Sequence, residues 1–355
     1  MKYDVAIIGA GPAGATLARI LSYNIPDINI LLIDAQTEER PKVCGGLLSE
    51  CAQKLLAKFD IALPTEVLVD PQIFAVDVID LDSKNQRRYQ KHYFNMDRYK
   101  FDKWLLSLIP ERVTVVSGRC TAIKGVAPLI NLTVNKDTGC DNYEAGIVVG
   151  ADGAASFVRK FVTDKSVYKY TSIQQWFKRD DSEGLPRYTC IYDRKTSDSC
   201  SWTIRKGEYF IYGGAFKTKL CRDSFEKQKA RLESYLGCDF GSAERTEACL
   251  VCSPRRRADF AYGKDGIFLI GEAAGFISAN SYEGISNAMM SAKNLSDALK
   301  EENLDPARTL KRYKKKSRPL MRKMKRRILE TKVLSSHFLR NLILKSKIKS
   351  IEKFV

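Results

Sequence analysis

The chain has 355 residues, 44% of them apolar, and a formal net charge of +17. That composition excludes a disordered chain and is enough for a full core and two domains. No apolar run approaches the ~18 residues of a membrane span, and the first strand begins too early for a leader to precede it, so a cytoplasmic protein is expected. The ten cysteines are expected to be reduced, partly buried small residues. Cys249 and Cys252 have C-x-x-C spacing, but with His92 and His337 as the only histidines no metal site is expected.

An apolar strand from Tyr3 to Ile8 runs into Gly9, Gly11 and Gly14, then a helix over 15–21 and a second strand, 30–34, ending in Asp34. This is the dinucleotide-binding pattern. Gly9 permits the tight turn, Gly11 lets backbone approach a pyrophosphate, and Gly14 lets the helix pack on the strands, with Ala13 between them. The helix N-terminus favours an anion, and Asp34 is placed for a ribose hydroxyl. The fragment alone leaves NAD, NADP and FAD open.

A loop over 35–43 leads to Cys44, Gly45 and Gly46, where paired glycines again invite close approach of a ligand. Extended segments follow over 64–92, then a helix start near Arg98 and Phe101, capped by Asn95 or Asp97, and a strand at 113–116. The strand 145–149 enters Gly150, Asp152 and Gly153 and is expected to feed a helix. Residues 167–217 turn aromatic and β-branched, predicting an antiparallel sheet in which about half of Trp176, Tyr188, Trp202, Phe210 and Tyr212 face a substrate. A helix over 224–236 follows, and a last apolar strand, 266–270, enters Gly271, Glu272 and Gly275, so the first domain resumes and the sheet domain is inserted.

Residues 306–355 hold 18 Lys and Arg against Glu330 and Glu352, which leaves the rest of the chain nearly neutral. Leu310, Tyr313, Leu320, Met324 and Ile328 recur at helical spacing among them, with Pro319 expected to separate two helices. This basic amphipathic region is either a solvated surface packed on the body or a contact for an anionic membrane surface. Nucleic acid is not expected, because no recognised module accompanies the charge.

The fragments Gly9 to Gly14, Gly150 to Ser156, and Gly271 to Gly275 with Glu283, Gly284 and Ile285 resemble the FAD-dependent oxidoreductases of the p-hydroxybenzoate hydroxylase class. Within that class Cys44-Gly45-Gly46, Arg98 with Phe101 and Asp102, and Tyr282 to Ile285 resemble the geranylgeranyl reductase family, over about residues 1–300. The resemblance implies an α/β fold: a Rossmann-like FAD-binding domain (1–70, 93–165, 255–300), an inserted antiparallel sheet domain for substrate (71–92, 166–254) and C-terminal helices (301–355). It implies FAD on Gly9, Gly11, Gly14, Asp34, Arg98, Asp152, Gly153, Gly271, Glu272, Gly275, Gly284 and Ile285, with Gly45 and Gly46 as a second contact. Glu272 stands where the family usually has Asp, and Trp202 lacks the family's flanking aromatic and Phe-Pro. Cys44 is either a small structural residue or a group facing the flavin, and Glu283 either a helix-terminal carboxylate or catalytic.

The expected activity is reduction of double bonds in an isoprenoid or other apolar lipid by flavin, itself reduced by transiently bound NAD(P)H or another donor. The alternatives are a monooxygenase on the same fold, more weakly a halogenase, and a flavin-binding protein without catalysis.

Overall fold

The computed structural model describes residues 2–35, 42–178 and 185–352. The loop expected over 35–43 lies largely outside them, as do the last three residues of the basic tail. The elements begin β1 (Lys2–Ile8), α1 (Pro12–Asn24), β2 (Ile30–Asp34), β3 (Leu47–Leu48), α2 (Glu50–Lys58), β4 (Ile73–Asp80), β5 (Asn85–Asn95) and α3 (Arg98–Ser107). They continue with β6 (Thr114–Ser117), β7 (Arg119–Val126), β8 (Leu129–Lys136), β9 (Gly139–Gly150), β10 (Lys169–Lys178), β11 (Tyr188–Tyr192), β12 (Cys200–Lys206) and β13 (Tyr209–Phe216). The chain ends with α4 (Cys221–Leu236), β14 (Arg245–Cys252), β15 (Gly263–Lys264), β16 (Ile267–Leu269), α5 (Ile285–Glu301), α6 (Pro306–Lys316), α7 (Arg318–Ser335), α8 (His337–Ser346) and β17 (Ser350–Ile351).

The chain forms two units, one from residues 1–40, 99–168 and 252–326, the other from 41–98, 169–251 and 327–355. In the first, β1 lies between β2 and β9, all parallel, with Ile7 opposite Leu32 and Val149. Such strands are apolar on both faces because both are covered, and β1 and β2 are buried along nearly their whole length. β6 continues the sheet beyond β2, and β16 continues it beyond β9. α1 buries its small-residue face, Ala13 to Ala18, and meets α5 where Asn24 Nδ2 donates to Ser296 Oγ at 3.0 Å. This is the expected α/β architecture.

The second unit holds the sheet β14-β10-β13-β12-β11-β4-β5-β17. It was expected to be antiparallel throughout, but β11 runs parallel to β4, with Ile191 opposite Ile79. The reason lies in the connectivity: the β4–β5 hairpin arrives in an earlier chain segment and joins the edge of a sheet completed later. One face is closed by α4, with Phe177, Phe210, Tyr212 and Phe216 packed on Phe225, Leu232 and Phe240.

Three further expectations differ from what is observed. The loop and helix at 41–70 and the stretch 93–98 belong to the sheet unit, because β3 pairs with β5 and the Met96 N–H donates to Gly46 O at 2.8 Å. No α-helix follows Gly153; a single 3-10 turn, Val158–Phe161, is found instead, its leading N–H groups held by the Asp152 carboxylate. The tail is not one region, since 301–326 falls with the first unit and 327–355 with the second. Pro319 stands in the first turn of α7, where a missing N–H costs nothing. Among the described residues no helix is long and apolar enough to cross a membrane.

Candidate functional site

The site in the first unit is assembled on the N-terminus of α1. Gly9 has φ +105°, and a Cβ there would lie 2.6 Å from Ala151 O, so the turn after β1 requires glycine both for its conformation and for its closeness to the strand-end β9 backbone. A Cβ on Gly14 would lie 1.9 Å from Gly9 O, which is backbone and cannot yield. Gly11 differs: it caps α1 in an ordinary extended conformation and a Cβ there would meet nothing within 4 Å. The first turn of α1 has no side-chain cap and no acidic residue, and a Cβ on Gly11 beside it would meet open space, so its N–H dipoles favour an anion there. Asp34 ends β2, half-buried.

The later segments return to this place. Ile270 N–H donates to Gly150 O at 3.0 Å and Ala151 N–H to Ile8 O at 2.8 Å, aligning three strand ends. The 3-10 turn Gly271–Ala274 comes so close to α1 that a Cβ on Gly271 would sit 2.9 Å from Ala13 Cβ. Arg159 staples this turn, donating to Ala273 O at 2.9 Å and to Asp259 O at 2.8 Å. Burial pulls the Arg159 pKa down from its ordinary value. The sequence carries no sign of this role, because both acceptors are main-chain carbonyls about a hundred residues away.

Several expected site residues have structural partners. Asp152 accepts from Ser156 Oγ at 2.6 Å and from the Phe157 N–H at 2.7 Å, so its carboxylate shapes its own loop. Its pKa is raised, since burial outweighs these hydrogen bonds. Glu272 Oε1 accepts from the Cys252 N–H at 2.9 Å. Gly284 caps α5 without a side-chain hydrogen bond, and Ile285 opens the helix. Glu283 just before it accepts from Ser286 Oγ and lies 3.8 Å from Lys323 Nζ, the arrangement of a helix-terminal carboxylate. Gly153 and Gly275 belong to this unit as well, both with positive φ.

Cys44, Gly45, Gly46 and Arg98 belong to the other unit. Here the close approach that the paired glycines allow is to protein: a Cβ on Gly45 would lie 2.5 Å from Ile204 Cδ1, and one on Gly46 2.3 Å from Met96 O. Cys44 Sγ accepts from the Gly46 N–H at 3.4 Å. Lys206, which the sequence reading passed over, holds the segment, its buried ammonium donating to Asn95 Oδ1 at 2.6 Å, Met96 O at 2.7 Å and Gly46 O at 3.4 Å. Burial brings its pKa down to about 8, against the weaker opposing pull of Cys44 and Asp97. A lysine closing a strand gives no hint of such burial.

The five aromatic residues expected to line a substrate divide by strand parity. Phe210 and Tyr212 point into the α4 core, both fully buried, and Tyr212 OH donates to Gln228 Oε1 at 2.9 Å, so these two are corrected from wall to core. Trp176, Tyr188 and Trp202 occupy the opposite face, as the registers Trp176 with Ile211, Trp202 with Gly213 and Tyr188 with Ile204 require. Trp176 Nε1 and Gln174 Nε2 both donate to Glu247 Oε2, at 2.9 and 2.7 Å, and Arg245 stacks on the Trp176 ring at 4.0 Å. Trp202 lies over Gly213, where a Cβ would come within 2.7 Å of its Nε1. Burial pushes the Tyr188 phenol well up, and its ring meets Tyr93 edge-on at 5.5 Å.

Asp80, Asp82 and His337 bring potential ligand atoms within 4.8 Å of one another, but the Asp80 carboxylate is met by the Arg340 guanidinium, Nε to Oδ2 2.7 Å. A fixed cation already fills the role a metal would take there.

No protein-family model matches the chain. It is 39% identical over 350 residues to the protein CbrA of Escherichia coli O6:H1, covering 97% of this chain and 93% of that one, and 39% identical to CbrA of Escherichia coli O157:H7. Among solved structures it is similar to a geranylgeranyl bacteriochlorophyll reductase-like protein of Thermoplasma acidophilum, TM-score 0.80 at 19% identity, covering 94% of this chain and 88% of that one. The flavin-dependent brominase Bmp2 gives 0.72 at 18% identity, with 97% and 93% covered. The p-nitrophenol 4-monooxygenase PnpA of Pseudomonas putida gives 0.72 at 11% identity, with 98% and 93% covered.

Proposed function

The chain belongs to the CbrA family, and from that membership, its fold and the cradle on α1 we propose that it is an FAD-dependent oxidoreductase acting on an apolar, lipid-like substrate. The observation that carries this reading is Gly11, the one glycine of the three whose missing side chain leaves open space at an uncapped helix N-terminus. Protein packing explains Gly9 and Gly14; a ligand's phosphates explain Gly11.

The residues present fit the cofactor. Gly9, Gly11, Ala13 and Gly14 would hold the pyrophosphate, Asp34 the adenosine ribose, and the Gly271–Gly275 turn with the N-terminus of α5 at Gly284 and Ile285 the flavin end. FAD would supply two-electron transfer between a reductant and the substrate. The protein's own part is electrostatic and steric. The α1 dipole steadies the phosphates, and the α5 N–H groups at Gly284 and Ile285 steady negative charge. Trp176, Tyr188 and Trp202 offer an aromatic surface for the substrate to pack against. NAD(P)H is the proposed reductant, bound transiently, because a single G-x-G-x-x-G fingerprint is present in the sequence.

Double-bond reduction is supported by the likeness to the reductase-like fold and by the aromatic sheet face. Hydroxylation is the second reading, favoured by the likeness to the p-nitrophenol monooxygenase fold. Purified protein should be yellow and release FAD on heating. With NAD(P)H and a polyprenyl substrate under strict anaerobiosis, formation of the hydrogenated product supports the reductase. Product that forms only with O₂ and contains its oxygen overturns the reductase in favour of the monooxygenase. Protein that binds no flavin overturns both.

A further inference from the structure

The apolar stripe expected on the basic tail is used inside the protein: Tyr313, Leu320 and Met324 are buried, and Tyr313 OH donates to Leu269 O at 3.0 Å. That face of α6 and α7 is core. Among the described residues of the tail, the exposed apolar surface is mainly on α8. The inward side of α8 is fixed by Arg340, whose guanidinium binds the Asp80 carboxylate and lies 4.9 Å over the Tyr192 ring, by buried Leu344, and by Asn341 Oδ1, which accepts from Asn85 Nδ2 at 2.6 Å. The outward side carries Phe338, Leu339, Leu342 and Ile343, spaced to form one face, at 70, 41, 51 and 40% exposure. The Arg340–Asp80 pair fixes which side of α8 faces inward.

Charge follows this face along the chain. Lys345, Lys347 and Lys349 follow it, all exposed, with Ile348 between them at 67% exposure. We propose that α8 docks the protein on an anionic lipid bilayer, with Phe338, Leu339, Leu342 and Ile343 entering the headgroup boundary and those lysines on the anionic headgroups. Charge complementarity selects this occupant: Lys345, Lys347 and Lys349 are exposed beside the apolar face, and no acidic residue stands anywhere in 331–351. The inference is independent of the proposed chemistry and would bring the protein to a membrane whatever reaction it runs.

The test is flotation of the full chain with phosphatidylcholine vesicles and with phosphatidylcholine–phosphatidylglycerol vesicles. Binding is expected to the anionic vesicles, weakening with salt, by about fivefold for each basic residue removed in Lys345→Ala or Lys347→Ala. Phe338→Glu with Leu342→Glu should lower it by about tenfold or more with little change in melting temperature, since both side chains are more than half exposed. Phe338→Trp should shift its emission to the blue on the same vesicles. Equal flotation on both vesicle types, undiminished binding of the double glutamate variant, or no shift from the tryptophan overturns the proposal.

Discussion

Replacing Gly11 with aspartate separates folding from cofactor binding, because the two respond with opposite sign. The backbone there, φ −68° and ψ −173°, suits any L-residue, and a Cβ meets nothing within 4 Å, so the folded chain pays no steric cost. Aspartate is a better N-cap than glycine by a few tenths of a kcal/mol and adds about 0.3–1 kcal/mol with the α1 dipole. The apoprotein should therefore melt at the wild-type temperature or a degree or two above it. The same carboxylate lies where the phosphates are expected. One unit charge about 5 Å from another at an effective dielectric near 20 costs about 3 kcal/mol, roughly two orders of magnitude in FAD affinity. Quenching of flavin fluorescence on titrating apoprotein gives the affinity, and a melt of the same sample gives the stability. FAD binding as tight as wild type, or a variant that no longer folds, would refute the assignment of this open space to a phosphate.

The two faces of the second sheet should respond differently to truncation: Phe210→Ala, in the α4 core, is expected to lose about 3–5 kcal/mol of stability in denaturant unfolding, while Trp176→Ala, half-buried opposite, loses far less and shows its effect in substrate KM. Lys206 gives a pH signature. Its folded pKa of about 8 lies below the unfolded value near 10.4, so between them the unfolded chain holds more protons and stability rises with pH by up to about 1.4 kcal/mol per unit. Lys206→Met should be less stable at neutral pH, because three acceptors lose their donor, and should show none of that rise in denaturation series from pH 7.5 to 10; the same slope in both proteins would refute the buried-ammonium reading. Arg340→Ala removes the guanidinium from the fully buried Asp80, leaving it two backbone N–H donors and His337 Nδ1 at 3.7 Å, and should cost about 3 kcal/mol, with amide exchange over 337–346 accelerating first. Burial pushes the Asp80 carboxyl up, but the Ser83 N–H and Arg340 outweigh it and hold its pKa below the ordinary carboxylate range. Its contribution is thus present above the unfolded pKa near 3.9 and lost as pH falls through the folded one, so α8 should loosen in acid.

The glycine fingerprint was legible because its pattern is local: the turn at Gly9, the close packing at Gly14 and the acid ending β2 all fall within thirty residues, although Gly9 also meets the distant backbone of Ala151. The return of the first domain at Gly271 was legible too, since an apolar strand running into a glycine turn repeats the opening pattern. Sheet-face assignment was not. Trp176 and Phe177 are neighbours with the same chemistry, and which of them meets α4 depends on the registers β10–β13 and β12–β13, set by long-range pairing. Similarly, helical spacing predicted the stripe Tyr313, Leu320 and Met324 but could not say whether a core or a lipid would cover it. Lys206 and Arg340 were invisible for a further reason: a buried cation is recognised by its acceptors, and Asn95 and Asp80 lie far away along the chain.

β16 has a consequence for synthesis. It completes the side of β9 where Leu269 pairs with Gly150, yet roughly 120 residues separate the two, and a ribosome adding about 5–20 residues per second takes on the order of 10 s to supply them. During that interval the C-terminal half of β9 presents an apolar strand edge with unpaired amides. The first sheet therefore stays open at β9 while the second sheet is being made, and the nascent edge of β9 is a place for a holding chaperone to protect.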